Sequence, residues 1–192
     1  MDNEKALQLL MECFDEEKKK AKSTSLIKIW LDSPELPQSS LIAFGKMFEK
    51  WVSHLASEKY EVLTLDKDLY ITPKGEFVEK KKGNKDIDNL FIDHENNFVY
   101  YNEIKCNLNL DSEKKIVTAK KVRYIEQHLK NIFPAYKIVA SILNMAWEGK
   151  KRDIHGVPIL YMKDCFSLIG LGKITEDEYN KMGRELGKVY GR

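Results

Sequence analysis

From Gly83 to Asn109 the chain reads GNKDIDNLFIDHENNFVYYNEIKCNLN, and no other stretch restricts the fold as tightly. Asp86 to Asp93 and Phe98 to Cys106 are both rich in Ile, Leu, Phe, Val and Tyr, the composition of strands. His94-Glu95-Asn96-Asn97 lies between them and is built from turn formers, so the two runs are predicted to fold back on each other as a hairpin. A turn of these four residues sets Asp93 opposite Phe98, Asp88 opposite Glu103 and Asp86 opposite Lys105. A two-residue Asn96-Asn97 turn sets Asp88 opposite Lys105 instead. Directly opposed side chains sit ~5 Å apart and diagonal ones ~7–8 Å, so Asp88 stays within reach of Glu103 and Lys105 in both registers.

Glu103 and Lys105 are two residues apart and share one face of their strand. Charged side chains on an apolar hairpin are costly to bury unless a cation or mutual pairing replaces the lost water. A surface hairpin with ordinary cross-strand ion pairs is the bland alternative, and each such pair is worth only about 0–1 kcal/mol. The apolar neighbours Ile87, Leu90, Phe91, Ile92, Val99, Tyr101 and Ile104 favour a central hairpin over a surface one. Glu-x-Lys alone carries no signal, because it also begins at Glu16, Glu17, Glu79, Glu113 and Glu148. Only the copy at Glu103 follows an Asp-rich strand start, Asp86-Ile87-Asp88.

Asp88 followed by Glu103-Ile104-Lys105 resembles the PD-(D/E)xK motif of the restriction-endonuclease-like nuclease superfamily. The wider run KDIDNLFID…YYNEIKCNLNLDSEK is similar to the catalytic core of small type II restriction endonucleases. The likeness covers roughly residues 83 to 115 as residues, and Ile42 to Gly170 as an order of elements. An apolar residue usually precedes the motif's Asp, so Ile87-Asp88 fits better than Lys85-Asp86, and Asp86 is held in reserve. The resemblance implies an α/β fold with a restriction-endonuclease-like core, a central mixed β-sheet flanked by helices in the order αβββαβ. It implies that Asp88, Glu103 and the Ile104 carbonyl bind Mg²⁺, with Mn²⁺ able to substitute. Lys105 would hold the attacking water and offset charge on the phosphate. Helices ahead of the sheet in such nucleases sometimes lend another acid, and Glu49 is the candidate here.

At 192 residues the chain suits a single nuclease domain, with 1–40 as an N-terminal helical extension, about 41–170 as catalytic core and 171–192 as a C-terminal helix. No apolar run is long enough for a membrane span, and the acidic start MDNEKALQLL does not read as a signal peptide. Cys13, Cys106 and Cys165 lack zinc or disulfide spacing, so a reducing cytoplasm is expected. A net charge of +2 neither demands nor excludes a polyanionic partner. Clustering of the basic residues decides that question.

In chain order, Asn3 to Lys22 reads as a helix, and Ser33 to Ser40, with two prolines, as a loop. A core helix follows, carrying Leu41, Ile42, Phe44, Phe48, Trp51, Val52 and Leu55 at helical spacing. Tyr60 to Leu65 and Leu69 to Thr72 read as one bent strand or a hairpin leading into the acidic pair. Lys74 to Lys85 is lysine-rich and reads either as a solvated loop or as a phosphate contact through Lys82 and Lys85. Past the hairpin, Asp111 or Ser112 caps a helix that Pro134 stops. Ile116, Val117, Ala119, Val122, Ile125, Leu129 and Ile132 form its apolar stripe. Lys120, Lys121 and Arg123 belong to its basic face, a candidate DNA-binding surface together with Asn107 beyond Lys105. Tyr136 to Leu143 and Val157 to Met162 read as buried strands joined by the polar stretch Trp147 to His155. A short helix over Lys163 to Ile169 and an amphipathic one from Thr175 to Val189 complete the chain.

These readings converge on a Mg²⁺-dependent endonuclease that cuts double-stranded DNA at a specific sequence. The resemblance and the small size imply a homodimer, one site for each strand. A structure-selective or repair nuclease of the same superfamily, such as a Holliday junction resolvase, is the near alternative. A catalytically inactive DNA-binding module is the alternative of another class. No Gly-rich phosphate loop or HExxH motif is present, and His54, His94, His128 and His155 are scattered without ligand spacing.

Overall fold

Asp93 anchors the hairpin turn through its carboxylate, which accepts from the Asn96 backbone amide at 3.0 Å and from the Asn96 side chain at 2.8 Å. Asn97 closes the turn at a φ of 56°, a left-handed conformation that Asn tolerates better than most residues. The register is therefore that of the four-residue turn, with Asp93 paired to Phe98 and Asn89 to Asn102. These features come from a computed structural model, which describes residues 2–20, 38–106, 108 and 110–190.

The elements follow in the order α1 (Asn3–Lys20), α2 (Gln38–Ser57), β1 (Glu61–Val62), β2 (Leu69–Ile71), β3 (Phe77–Val78), β4 (Lys85–Ile87), β5 (Asn89–Asp93), β6 (Phe98–Lys105), α3 (Ser112–Ile132), β7 (Lys137–Asn144), β8 (Asp153–Ile154), β9 (Val157–Tyr161), α4 (Met162–Leu168) and α5 (Glu176–Tyr190). The protein is α/β, and its main sheet has the strand order β1-β5-β6-β7-β9-β8. β1, β5 and β6 pair antiparallel, with β2, β3 and β4 of the small sheet inserted between β1 and β5. β6 and β7 then run parallel from Phe98 opposite Lys137 to Lys105 opposite Asn144. A parallel pair needs a long crossover, and α3 supplies it. Asp111 caps α3, accepting the Lys114 amide at 2.7 Å.

The sheet divides the core in two. On one face α3 lays Ala119, Val122, Ile125 and Leu129 against Val99, Tyr101, Ala140 and Ile142. On the other, α1, α2, α4 and α5 cover Phe91, Ile104 and Leu143. Trp51 of α2 is fully buried there, with its indole N–H donating to the Ala6 carbonyl at 2.9 Å. Each such large apolar side chain contributes roughly 1.5–3 kcal/mol by leaving water. No helix among the described residues is long and apolar enough to cross a membrane.

Several expectations need correction. Asp86 to Asp93 is not one strand, because the chain breaks at Asp88. Lys85–Ile87 pairs instead with β2 in a separate sheet of order β3-β2-β4, where Asp86 faces Tyr70 and not Lys105. The stretches around Tyr60 and Leu69 are neither a bent strand nor a hairpin, since β1 joins the main sheet and β2 the small one. Ile116 and Val117 are 42% and 59% exposed, as the N-terminal turns of α3 run past the edge of the packed core. The Trp147 to His155 connection ends in a strand, β8, paired with β9. The two-proline loop lies almost wholly outside the described residues, and α2 already begins at Gln38. Asn107 and Asn109 also fall outside them.

Candidate active site

The break at Asp88 creates the site. β5 begins at Asn89, but β6 continues past its last β5 partner, Asn102, to Lys105. The edge of β6 that faces β5 is thus left without a strand at Ile104. Asp88 fills the gap, its Oδ2 accepting the Ile104 amide at 2.9 Å. Lys105 directs its own carbonyl to the opposite side, where the Met145 amide and the Asn144 side chain donate to it. Successive residues of a strand alternate in the edge their backbone groups address, so the Ile104 carbonyl lies on the Asp88 side.

Glu103 projects from the same face of β6 as Tyr101 and Lys105, toward α3. It is 3% exposed, and all its hydrogen bonds come from side chains. Lys105 Nζ donates to Oε1 at 2.7 Å. The Tyr101 hydroxyl donates to Oε2 at 2.8 Å, and Lys121 Nζ reaches the same oxygen at 2.6 Å. Lys121 also lies 3.1 Å from Asp86 Oδ1 and 3.4 Å from Asp88 Oδ1. One ammonium from α3 therefore joins three acids, Asp86 and Asp88 on either side of Ile87 and Glu103 on β6.

Charge states follow from burial and these contacts. Burial pushes the Glu103 carboxyl up, but Lys105 and Lys121 outweigh it and hold the group below its ordinary range. Burial, and then Glu103, raise Asp88 to about 6. Both lysines stay cationic, because the acids around them offset the desolvation that would neutralise them. Burial raises Glu49 to about 8, with Asp88 adding to the effect and Lys46 opposing it.

Glu49 stands on α2 beside a cleft of about 320 Å³, lined in part by Lys46, Asp68 and Asp88, at the edge where β4 parts from β5. Its carboxylate is held by Lys46 Nζ at 2.6 Å. Asp88, Glu103, Lys105, Asp86 and Glu49 are thus gathered in one region. Lys82, Lys85, Lys120 and Arg123 are not part of it and lie exposed. Arg123 spends one guanidinium N–H on the His155 carbonyl. Lys121 corrects the reading of the basic helix face, since it points into the site with a side chain only 14% exposed. Thr118 and Ile125, three residues before Lys121 and four after it, are buried on the same helical face. Lys46 was equally unforeseen, and it shares a face with Glu49 one turn away. Nothing in the local pattern marks Tyr101 beyond its place two residues before Glu103.

Among the described residues, no group of three or more His, Cys, Asp or Glu side chains is arranged to hold a metal ion. Asp88 and Glu103 offer two carboxylates beside a backbone carbonyl, an all-oxygen donor set. That set suits a hard cation such as Mg²⁺, which usually takes one or two carboxylates and keeps several waters. No protein-family model, curated protein or solved structure matches this chain.

Proposed function

We propose that the protein is a Mg²⁺-dependent endonuclease with a restriction-endonuclease-like core, hydrolysing phosphodiester bonds of double-stranded DNA at a specific sequence as a homodimer. The observation that carries this reading is the convergence of Asp88, Glu103 and Lys105 at the free edge of a central strand. The sequence α2, β1, β5, β6, α3, β7 supports it, being helix, three antiparallel strands, crossover helix and parallel strand.

Asp88, Glu103 and the Ile104 carbonyl would hold the cation. When bound, Mg²⁺ supplies positive charge to the phosphate and an acidified water as nucleophile. The chain's own groups do the rest. Tyr101 fixes the rotamer of Glu103 through its hydroxyl, so the carboxylate reaches the reacting region in one orientation. Lys105, buried on most sides and permanently charged, orients the attacking water and faces the charge that builds on the phosphate oxygens. A preorganised cation counts for more there than in bulk water. The cost of burying its charge is already met by Glu103.

Incubation with a plasmid library in Mg²⁺, followed by sequencing of the product ends, tests the proposal. Cleavage at one recurrent sequence, lost with chelator and in Lys105→Ala, is expected. Selective cutting of four-way junctions would transfer the site to a structure-selective nuclease. DNA binding without cleavage on any substrate would leave a binding module.

A further inference from the structure

Each carboxylate of the site has two oxygens, and their partners differ. Asp88 Oδ2 is committed to the Ile104 amide, and Glu103 Oε1 to Lys105. The remaining pair, Asp88 Oδ1 and Glu103 Oε2, share one cationic partner, Lys121 Nζ, at 3.4 and 2.6 Å. A metal ion bridging the acids through these two oxygens, at about 2.0–2.1 Å for Mg²⁺, would stand where Lys121 Nζ now lies. Two cations cannot stand there together.

We propose that Lys121 is a tethered counterion that occupies the divalent-cation position between Asp88 and Glu103 and is displaced when the metal binds. This inference rests on the endonuclease reading, which supplies the metal. Lys121 keeps three acids from repelling one another in the metal-free protein. Asp86, 53% exposed and 3.1 Å from Lys121, gives the displaced ammonium a partner at the mouth of the site. Metal affinity is consequently held down by an internal competitor.

The test is Mn²⁺ binding to the full chain without DNA, by calorimetry. Lys121→Met is expected to bind about tenfold more tightly than the parent, the effect of removing a unit charge a few ångströms away. Lys120→Met, a neutralisation at the exposed neighbouring position, is expected to leave affinity unchanged. Equal or weaker binding by Lys121→Met, or an equal gain from Lys120→Met, overturns displacement while leaving the endonuclease reading intact. No binding to any of the three proteins overturns both. Should Lys121→Met fail to fold, the parent protein decides. Acylation of Lys121 by an amine-reactive reagent, followed by mass spectrometry, is expected to speed up several-fold when Mn²⁺ is added, and an unchanged rate overturns the proposal.

Discussion

Asp88 Oδ2 and the Ile104 amide are joined by a 2.9 Å hydrogen bond that stands where a strand pair would otherwise continue. On the proposed function, the acid has a backbone role on one oxygen and a ligand role on the other. Asp88→Asn keeps an acceptor for the Ile104 amide but loses the charge, so it is expected to fold and to lose Mg²⁺-dependent cleavage. Among the described residues Asp86 reaches the site through Lys121, and Asp86→Asn is expected to retain measurable activity. Cleavage by purified variants over a range of Mg²⁺ concentrations checks the pair. A dead Asp86→Asn beside an active Asp88→Asn would reverse the assignment.

Lys105→Ala and Glu103→Ala are expected to separate chemistry from stability. Each should lower the cleavage rate by at least ~100-fold, since in the proposed mechanism each acts on charge at the reacting phosphate. Lys105→Ala leaves Glu103 with Lys121 and Tyr101 as donors, so its urea midpoint should stay close to the parent's. Glu103→Ala strips the acceptor from Lys105, Lys121 and Tyr101 together. Leaving two half-buried cations and a buried hydroxyl without it should cost roughly 2 kcal/mol or more. A midpoint for Glu103→Ala equal to that of Lys105→Ala would contradict this account.

The metal-free protein should lose stability as the solution becomes more alkaline. Burial raises Asp88 from 3.8 to about 6 and Glu49 from 4.5 to about 8, so the native state retains protons that the unfolded chain has released. Stability falls wherever the native state binds more protons than the unfolded one. Both acids contribute between about pH 4 and 6, and Glu49 alone between about 6 and 8. Glu49→Gln, which cannot ionise, should flatten the upper part of the decline. Thermal midpoints of the two proteins at matched ionic strength give the answer, and parallel curves would place Glu49 in ordinary solvent.

The sequence narrowed the hairpin to two registers, because the turn is local, and the structure has the one with the four-residue turn. Asp93 and Asn96 settle it within four residues, and the pairing of Asn89 with Asn102 follows from counting. The break at Asp88 was not legible, because Asp86 to Asp93 is continuous in pattern and only pairing with distant Leu69, Tyr70 and Ile71 draws Lys85–Ile87 into another sheet. Lys121 was misread for a related reason. On an isolated helix it belongs with Lys120 and Arg123, and its burial exists only once α3 lies across β6 beside Glu103. Long-range pairing and packing carried the information that periodicity lacks.

With Lys121 inside the site, the proposed function leaves the exposed residues Lys82, Lys85 and Lys120 as the candidates for meeting DNA. Arg123 is the weaker candidate, because its guanidinium already serves the His155 carbonyl. Each lysine that neutralises a phosphate releases counterions and adds about 0.9 to the slope of log affinity against log salt. Replacing Lys82, Lys85 and Lys120 with Ala together should weaken duplex binding and lower that slope by roughly 2–3. Arg123→Ala should change it by less than one lysine does. Because none of the three lysines contacts Glu103 or Asp88, cleavage at saturating DNA and low salt should approach the parent's rate. A slope unchanged by the triple substitution would return these side chains to the solvent and leave another surface to meet the DNA.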